Sequence, residues 1–378
     1  MSLDDVRDEL IATAEALARP GTGLLAADES TGTIGKRFAA IGLENSEANR
    51  RAYRTLLATA PELSAAISGV ILYEETLFQD ADPAVLATAT AADGAADSSA
   101  DGAVDGASIV ELFQRQGVIP GIKVDLGVAP LAGGLAGESW CTGLQGLAER
   151  AARYYARGAR FAKWRAVLQI NGAGCPSELA VRENAWGLAR YARTVQEQGL
   201  VPIVEPEILM DGDHDITTTA AVQEWVLRLV YEALALNGVL LEGSLLKPSM
   251  TLAGADCPQA PSVEEVGAFT WRTLSRTVPS AVPAILFLSG GLSEEDASLC
   301  LSAINQAAGA SAPWHLGFSF GRALQHSCLQ HWAGHDVAAG QAALLARVRA
   351  NGAASSGAYA PGSEPSSDAS LFVAGYSY

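Results

Sequence analysis

Eight short apolar runs alternate along this chain with longer stretches of helical periodicity, and few folds accommodate that alternation. The runs cover residues 23–29, 66–74, 121–127, 160–168, 200–209, 239–247, 284–291 and 314–321. Between them the spacing of apolar residues predicts helices over 45–59, 143–156, 177–198, 217–236, 262–277, 293–306 and 322–332. Strands that alternate with helices build parallel βαβ units. Eight parallel strands close a barrel, so the reading is a (β/α)8, or TIM, barrel, with an open doubly wound sheet as the alternative. A chain of 378 residues with 49% hydrophobic side chains can fill such a core. One barrel domain is therefore expected over residues 1–350.

Two stretches depart from the pattern. Residues 89–108 are low in complexity and carry Asp93, Asp97, Asp101 and Asp105 every fourth residue, the composition of a solvated insertion. Residues 351–378 are rich in Ala, Ser, Gly and Pro and end in LFVAGYSY. They read as a flexible tail carrying an aromatic, apolar tip, and such a tip usually docks somewhere.

The position of the charges points to chemistry. Polar residues fall in the later half of the runs or just beyond them: Asp28 and Glu29, Glu74, Lys123 and Asp125, Lys163 and Arg165, Glu205 and Glu207, and Lys247. Residues i and i+2 of a strand share a face, so 123/125, 163/165 and 205/207 are same-face charged pairs. Turned outward they would meet apolar helices, a costly place for charge. Turned inward at the C-terminal rim they converge on one mouth, where barrel enzymes keep their active sites. Lys247 closes an apolar run before Pro248, and an amine there loses hydration, which disfavours its charged form. Such an amine can attack a carbonyl and form an imine. On spacing alone Lys163 and Lys123 are equal candidates for that nucleophile.

Ser289, Gly290 and Gly291 follow the seventh run, and Gly321 and Arg322 follow the eighth. Backbone N–H groups and a helix N-terminus at those positions form the usual barrel phosphate site. A second basic and hydroxyl group, Ser30, Thr33, Lys36 and Arg37, follows the first run. Ser30 and Thr31 also suit a helix cap. Two anion sites at one mouth imply a substrate with two phosphates.

The remaining composition narrows the classes. The chain sets 25 Lys and Arg against 42 Asp and Glu, a net charge of −17, which repels nucleic-acid backbones. No run approaches the ~18 apolar residues of a membrane span. Five scattered cysteines without a C-x-x-C pair read as reduced thiols rather than a disulfide framework or zinc site. DGDHD at 211–215 reads as a surface turn, so no metal site is expected, and no G-x-G-x-x-G follows a strand. The N-terminal residues alternate acids with apolar side chains and lack secretory or transit character. A cytoplasmic location is expected, with a plastid as the alternative if a precursor segment is missing.

Taken together, LLAADESTGTIGKR, GVILYEETLFQ, GIKVDLGVAPLAG, ARFAKWRAVL, VPIVEPEIL, LEGSLLKP, FLSGG and FSFGRAL resemble the class I, Schiff-base, fructose-1,6-bisphosphate aldolases from about residue 10 to residue 378. The resemblance implies a homotetrameric barrel enzyme without metal or other cofactor. It implies reversible cleavage of fructose 1,6-bisphosphate to dihydroxyacetone phosphate and glyceraldehyde 3-phosphate. Fructose 1-phosphate or sedoheptulose 1,7-bisphosphate are alternative preferences, and a catalytically silent scaffold protein is the alternative class. By motif, Lys247 becomes the imine-forming nucleophile, Glu205 the general acid/base and Glu207 its assistant. Asp28 polarises the C4 hydroxyl, and Lys163 with Arg165 holds the hydroxyl end. Ser289, Gly290, Gly291, Gly321 and Arg322 surround the C1 phosphate, while Ser30, Thr33 and Lys123 lie toward the C6 phosphate. Tyr378 shuttles a proton. Thr33 stands where the family generally carries serine, and Phe320 where it carries tyrosine.

Overall fold

All eight expected runs contribute to one closed sheet. The structure, a computed structural model, describes residues 2–92 and 106–375. It opens with α1 (Leu3–Leu17), β1 (Gly23–Ala27), α2 (Thr31–Ala39), α3 (Glu47–Ala58), β2 (Ile67–Leu72), α4 (Glu74–Phe78), α5 (Pro83–Ala92), α6 (Ile109–Arg115) and β3 (Ile119–Lys123). A hairpin of β4 (Val128–Pro130) and β5 (Ser139–Cys141) leads to α7 (Leu147–Ala156), β6 (Phe161–Leu168), α8 (Glu178–Gln196), β7 (Val201–Ile208) and α9 (Ile216–Leu236). Then come β8 (Leu245–Leu246), α10 (Val263–Thr277), β9 (Ala284–Phe287), α11 (Glu294–Ala308), β10 (His315–Phe320), α12 (Arg322–Trp332) and α13 (Val337–Ala354). The barrel runs β1-β2-β3-β6-β7-β8-β9-β10 and back to β1, every pair parallel. This is the (β/α)8 barrel.

Local chemistry starts the helices where the pattern placed them. Ser46, Ser177 and Ser293 each accept a hydrogen bond from a backbone N–H three residues on. Ser108 with Glu111 and Ser262 with Glu265 form capping boxes. The two-residue period of the strands then sorts their side chains. Leu24, Ile71, Phe161, Val201, Ile203, Leu245 and Leu286 fill the barrel together with Val6, Leu10, Ala14 and Leu17 of α1, which plugs one end. The alternate residues Ala162, Trp164, Ala166 and Leu168 pack outward beneath the helices. Tyr191 of α8 stacks on Trp164 at 5.3 Å, and its hydroxyl donates to the carbonyls of Ala162 and Ile203.

Three segments differ from expectation. The run 239–247 is not one strand: Leu241–Gly243 form a 3-10 turn and only Leu245–Leu246 pair in the barrel. Helix α1 packs closely against this turn, where a Cβ on Gly243 would lie 2.9 Å from Cβ of Leu10. Gln196 satisfies the turn by donating to the carbonyls of Leu240 and Gly243. Secondly, α5 runs into the acidic segment 89–108 as far as Ala92, and Ser108 caps α6; residues 93–105, with all four aspartates, lie outside the described residues. Thirdly, Asn351, read as the start of the tail, is fully buried inside α13, where its side chain accepts from Ser298 Oγ at 2.9 Å. The tail begins after Ala354.

All five cysteines are free thiols. Among the described residues no helix is long and apolar enough to cross a membrane.

Gly121 pairs with Phe161 across β3 and β6, and a Cβ there would meet the Phe161 ring at 2.3–2.4 Å. Gly121→Ala is expected to lower stability by about 1–3 kcal/mol through overpacking. Urea unfolding of the two proteins checks this; equal midpoints would mean that the Phe161 ring repacks freely.

Candidate active site

The site is built from residues that the apolar filling leaves at the C-terminal ends of the strands. Phe161, Lys163 and Arg165 share one face of β6, and Ile203, Glu205 and Glu207 one face of β7. The first member of each set is apolar and the rest are charged. Asp28 lies just past β1, which β2 and β3 separate from β6. The ion pair between Lys163 Nζ and Asp28 Oδ2, at 2.7 Å, therefore crosses the barrel interior. Lys163 Nζ also lies 3.3 Å from Glu205 Oε2, and Glu205 Oε1 lies 3.2 Å from Nζ of Lys247. Asp28, Lys163, Glu205 and Lys247 thus form a chain of alternating charge, each residue at most 2% exposed.

Burial would raise the carboxyl of Asp28, but the ammonium groups of Lys163, Lys247 and Lys123 outweigh it and hold the pKa at about 2. Glu207 follows the same logic. Burial pushes it up, and Arg165, whose Nε is 2.5 Å from Glu207 Oε2, pulls it below the ordinary range with help from Arg322 and Lys247.

Beside this chain a cleft opens at the ends of β9 and β10. Lys247, Glu205, Ser289, Gly290, Gly321 and Arg322 line it, with Asp28, Arg165 and Glu207. Gly290 has φ +62°, the left-handed region that favours glycine. Arg322 is the first residue of α12, so the positive end of that helix's dipole lies at the mouth. Arg37 also lines the cleft and pairs with Glu29; Glu29 in turn meets Arg54 at 2.5 Å and accepts from Gln325 Nε2 at 3.0 Å.

Some expected site residues lie elsewhere. Ser30 caps α2, accepting from the Thr33 N–H at 3.2 Å and lying 3.0 Å from Thr33 Oγ1, and neither residue lines the cleft. Lys123 pairs with Asp125 at 2.5 Å, outside the cleft lining but close enough to act on Asp28. Gly291 turns away: its carbonyl accepts from the Leu371 N–H at 3.0 Å, and Phe372 occupies the space a Cβ would need. Tyr378 lies outside the described residues. Phe320 is fully buried, its ring 5.5 Å from that of Phe318. Sequence reasoning missed Ser319, a buried serine lining the cleft. Its signal was available, since it stands two residues before Gly321 on the same face of the run. In the 211–215 segment Asp215 caps α9 and Asp211 accepts from the Gly375 N–H. Among the described residues no group of three or more His, Cys, Asp or Glu gathers as a metal site.

Because Asp28 has a lower pKa folded than unfolded, its contribution to stability is complete above about pH 4 and is lost as the pH falls toward 2. The shift amounts to about 2 kcal/mol. Urea unfolding between pH 5 and pH 2.5 is expected to show that much less acid sensitivity in Asp28→Asn. Identical pH dependence in both proteins would mean that Asp28 is not held by its lysines.

Comparison with known proteins completes the picture. The family model described as class-I fructose-bisphosphate aldolase matches residues 9–93 and 98–378. The chain is 54% identical over 375 residues to fructose-bisphosphate aldolase 5, cytosolic, of Arabidopsis thaliana, covering 98% of each chain. It is 51% identical over 375 residues to the chloroplastic fructose-bisphosphate aldolase of Oryza sativa subsp. japonica, covering 98% of this chain and 89% of the relative. Its backbone superposes with a TM-score of 0.87 on the fructose-bisphosphate aldolase of Plasmodium falciparum, solved with TRAP and a small-molecule inhibitor. That match is 48% identical and covers 95% of this chain and 97% of the other. A parallel eight-stranded barrel, a buried lysine–carboxylate chain at its rim and near full-length identity of about one half lead to one conclusion: this chain belongs to the class I fructose-bisphosphate aldolase family.

Proposed function

We propose that this enzyme reversibly cleaves fructose 1,6-bisphosphate to dihydroxyacetone phosphate and glyceraldehyde 3-phosphate through an imine on Lys247. The observation that carries the reading is the 3.2 Å approach of Lys247 Nζ to Glu205 Oε1 within a buried chain of charge. The Lys247 amine adds to C2, and Glu205 supplies and removes the protons needed to expel water as the imine forms. Once protonated, the imine is an electron sink. The C3–C4 bond breaks, its electron pair passes toward the imine nitrogen as an enamine, and the C4 hydroxyl gives up its proton to leave glyceraldehyde 3-phosphate.

That proton transfer is assigned to Asp28, a reading supported by the ion pairs through which Lys163 joins Asp28 to Glu205. Protonation of the enamine at C3, assigned to Tyr378, and hydrolysis of the imine release dihydroxyacetone phosphate and restore Lys247. The C1 phosphate is assigned to Ser289, Gly290, Gly321 and Arg322, where backbone N–H groups and a forked guanidinium meet an anion. Gly291 supports that loop from the side of the tail. The C6 phosphate is assigned to the side of Ser30, Thr33 and Lys123. Binding energy from both phosphates fixes the bond that reacts.

A homotetramer forms part of the proposal. Leu179 and Trp186 of α8 and Leu236 of α9 are 46%, 45% and 69% exposed around one surface cleft, an apolar face suited to a second copy. Sedimentation of the purified chain should give four times 39.1 kDa; a monomer would overturn this part of the reading.

Incubation with fructose 1,6-bisphosphate and borohydride is expected to trap a stable adduct on Lys247, found by peptide mapping. Glu205→Gln is expected to lower kcat by about 10²–10⁴, the usual contribution of general acid/base catalysis. An adduct on Lys163 or Lys123, or none on Lys247, would sink the mechanism.

A further inference from the structure

The lining of the cleft sets Arg37, Arg165, Lys247 and Arg322 against Asp28, Glu29, Glu205 and Glu207. Such a lining is balanced in charge, and an anion gains from it only where the carboxylates are also met from elsewhere. Lys163 stands behind Asp28 and Glu205. Arg54 of α3 stands behind Glu29, its Nη2 at 2.5 Å from Glu29 Oε2. Neither Lys163 nor Arg54 lines the cleft. Lys163 belongs to the charge chain of the proposed reaction, whereas no step uses Arg54.

Arg54 and Glu29 are each 3% exposed. Glu29 also meets Arg37 and Gln325 through Oε1. The Gln325 amide donates to Glu29 at 3.0 Å and to the Ala26 carbonyl at 2.7 Å, and accepts from the Tyr53 hydroxyl at 3.0 Å. Gln325 is neutral, so it fixes the carboxylate without matching its charge. Burial would raise the Glu29 carboxyl, but Arg37 and Arg54 outweigh it, and the nearby Asp28, and hold the group below the ordinary range. Arg37 turns Nη1 to Glu29, while its Nη2 lies 4.0 Å from where a Cβ on Gly321 would stand. One guanidinium thus reaches from a buried carboxylate to the segment assigned to the C1 phosphate.

We infer that Arg54 is a positioning residue for phosphate: by matching the charge of Glu29 from behind, it lets Arg37 present a net positive charge to an anion at Gly321 and Arg322. The inference rests on the proposed binding of phosphate in that cleft. Two arginines around one glutamate leave one positive charge in the cluster. Taking away Arg54 alone leaves none, because Glu29 then offsets Arg37. Taking away the charges of Arg54 and Glu29 together restores one. A unit charge close to a phosphate in a partly enclosed cleft changes its affinity by about ten-fold.

The test uses the full chain and inorganic phosphate as the probe, with its Kd taken by calorimetry and its competition scored against fructose 1,6-bisphosphate. Arg54→Met is expected to weaken phosphate about ten-fold and to raise KM by a similar factor, with kcat within about two-fold. Adding Glu29→Gln to Arg54→Met should bring Kd back to within about three-fold of the parent, a recovery that a merely structural role for Arg54 does not produce. Glu29→Gln alone leaves two positive charges and should bind phosphate at least as tightly as the parent; this arm holds even where Arg54→Met does not fold. Unchanged affinity in Arg54→Met, no recovery in the double variant, or weaker binding in Glu29→Gln would each overturn the inference. Phosphate that neither binds nor competes in the parent would overturn it together with the assigned phosphate site. Borohydride capture of dihydroxyacetone, which carries no phosphate, should label Lys247 alike in the parent and every variant. Its failure in the parent would strike the imine and leave the charge inference to be judged on the phosphate titration.

Discussion

The arrangement rests on two carboxylates and two amines enclosed together. Asp28, Lys163, Glu205 and Lys247 come from four strand ends and are at most 2% exposed. Removing any one leaves an uncompensated buried charge, a loss of about 3–5 kcal/mol. Their mutual pairing therefore dictates where β1, β6, β7 and the end of β8 stand relative to one another. Below them the barrel is filled with aliphatic and aromatic side chains and plugged by α1, so water reaches the charges only from the mouth. A site held this way is oriented before any substrate arrives, and such preorganisation lets fixed charges act on a developing charge.

The surface as a whole repels anions, at a net charge of −17, whereas the cleft lining sets four cations against four carboxylates. Arg37, Arg165 and Arg322 converge on the cleft together with Lys247. Arg37 is held by Glu29 and Arg165 by Glu207, while Arg322 binds the Leu371 carbonyl. These partners fix the side chains. Glycines after β9 and β10 keep the backbone close to whatever the cleft takes in. The chain belongs to the fructose-bisphosphate aldolase family, and arginines gathered around a buried amine suit a phosphorylated sugar.

Much of this was legible before any coordinates. The two-residue period placed Lys163 with Arg165 and Glu205 with Glu207, and the strand-end position of the charges marked one rim of the barrel. What escaped the pattern depended on neighbours distant in sequence. Run 239–247 reads as one strand, yet Leu241–Gly243 form a 3-10 turn packed against Leu10 of α1. Ser319 carries no charge to draw attention, and only the closed sheet places it beside Lys247. Gly291 belongs to the same tripeptide as Ser289 and Gly290 but faces Leu371 and Phe372.

From the sequence alone follow the number of barrel strands, the alternation of inward and outward side chains and the chemical types gathered at the rim. These depend on period, capping and burial, which act over a few residues. Which lysine stands beside which carboxylate is a different kind of fact. Spacing left Lys123, Lys163 and Lys247 equivalent as nucleophiles. The closed barrel separates them: Lys163 bridges Asp28 and Glu205, Lys123 turns to Asp125, and Lys247 alone both meets Glu205 and lines the cleft. Distances of about 3 Å between residues many positions apart arise only when the sheet closes, because the barrel's curvature, not the chain's local preferences, brings opposite strands together.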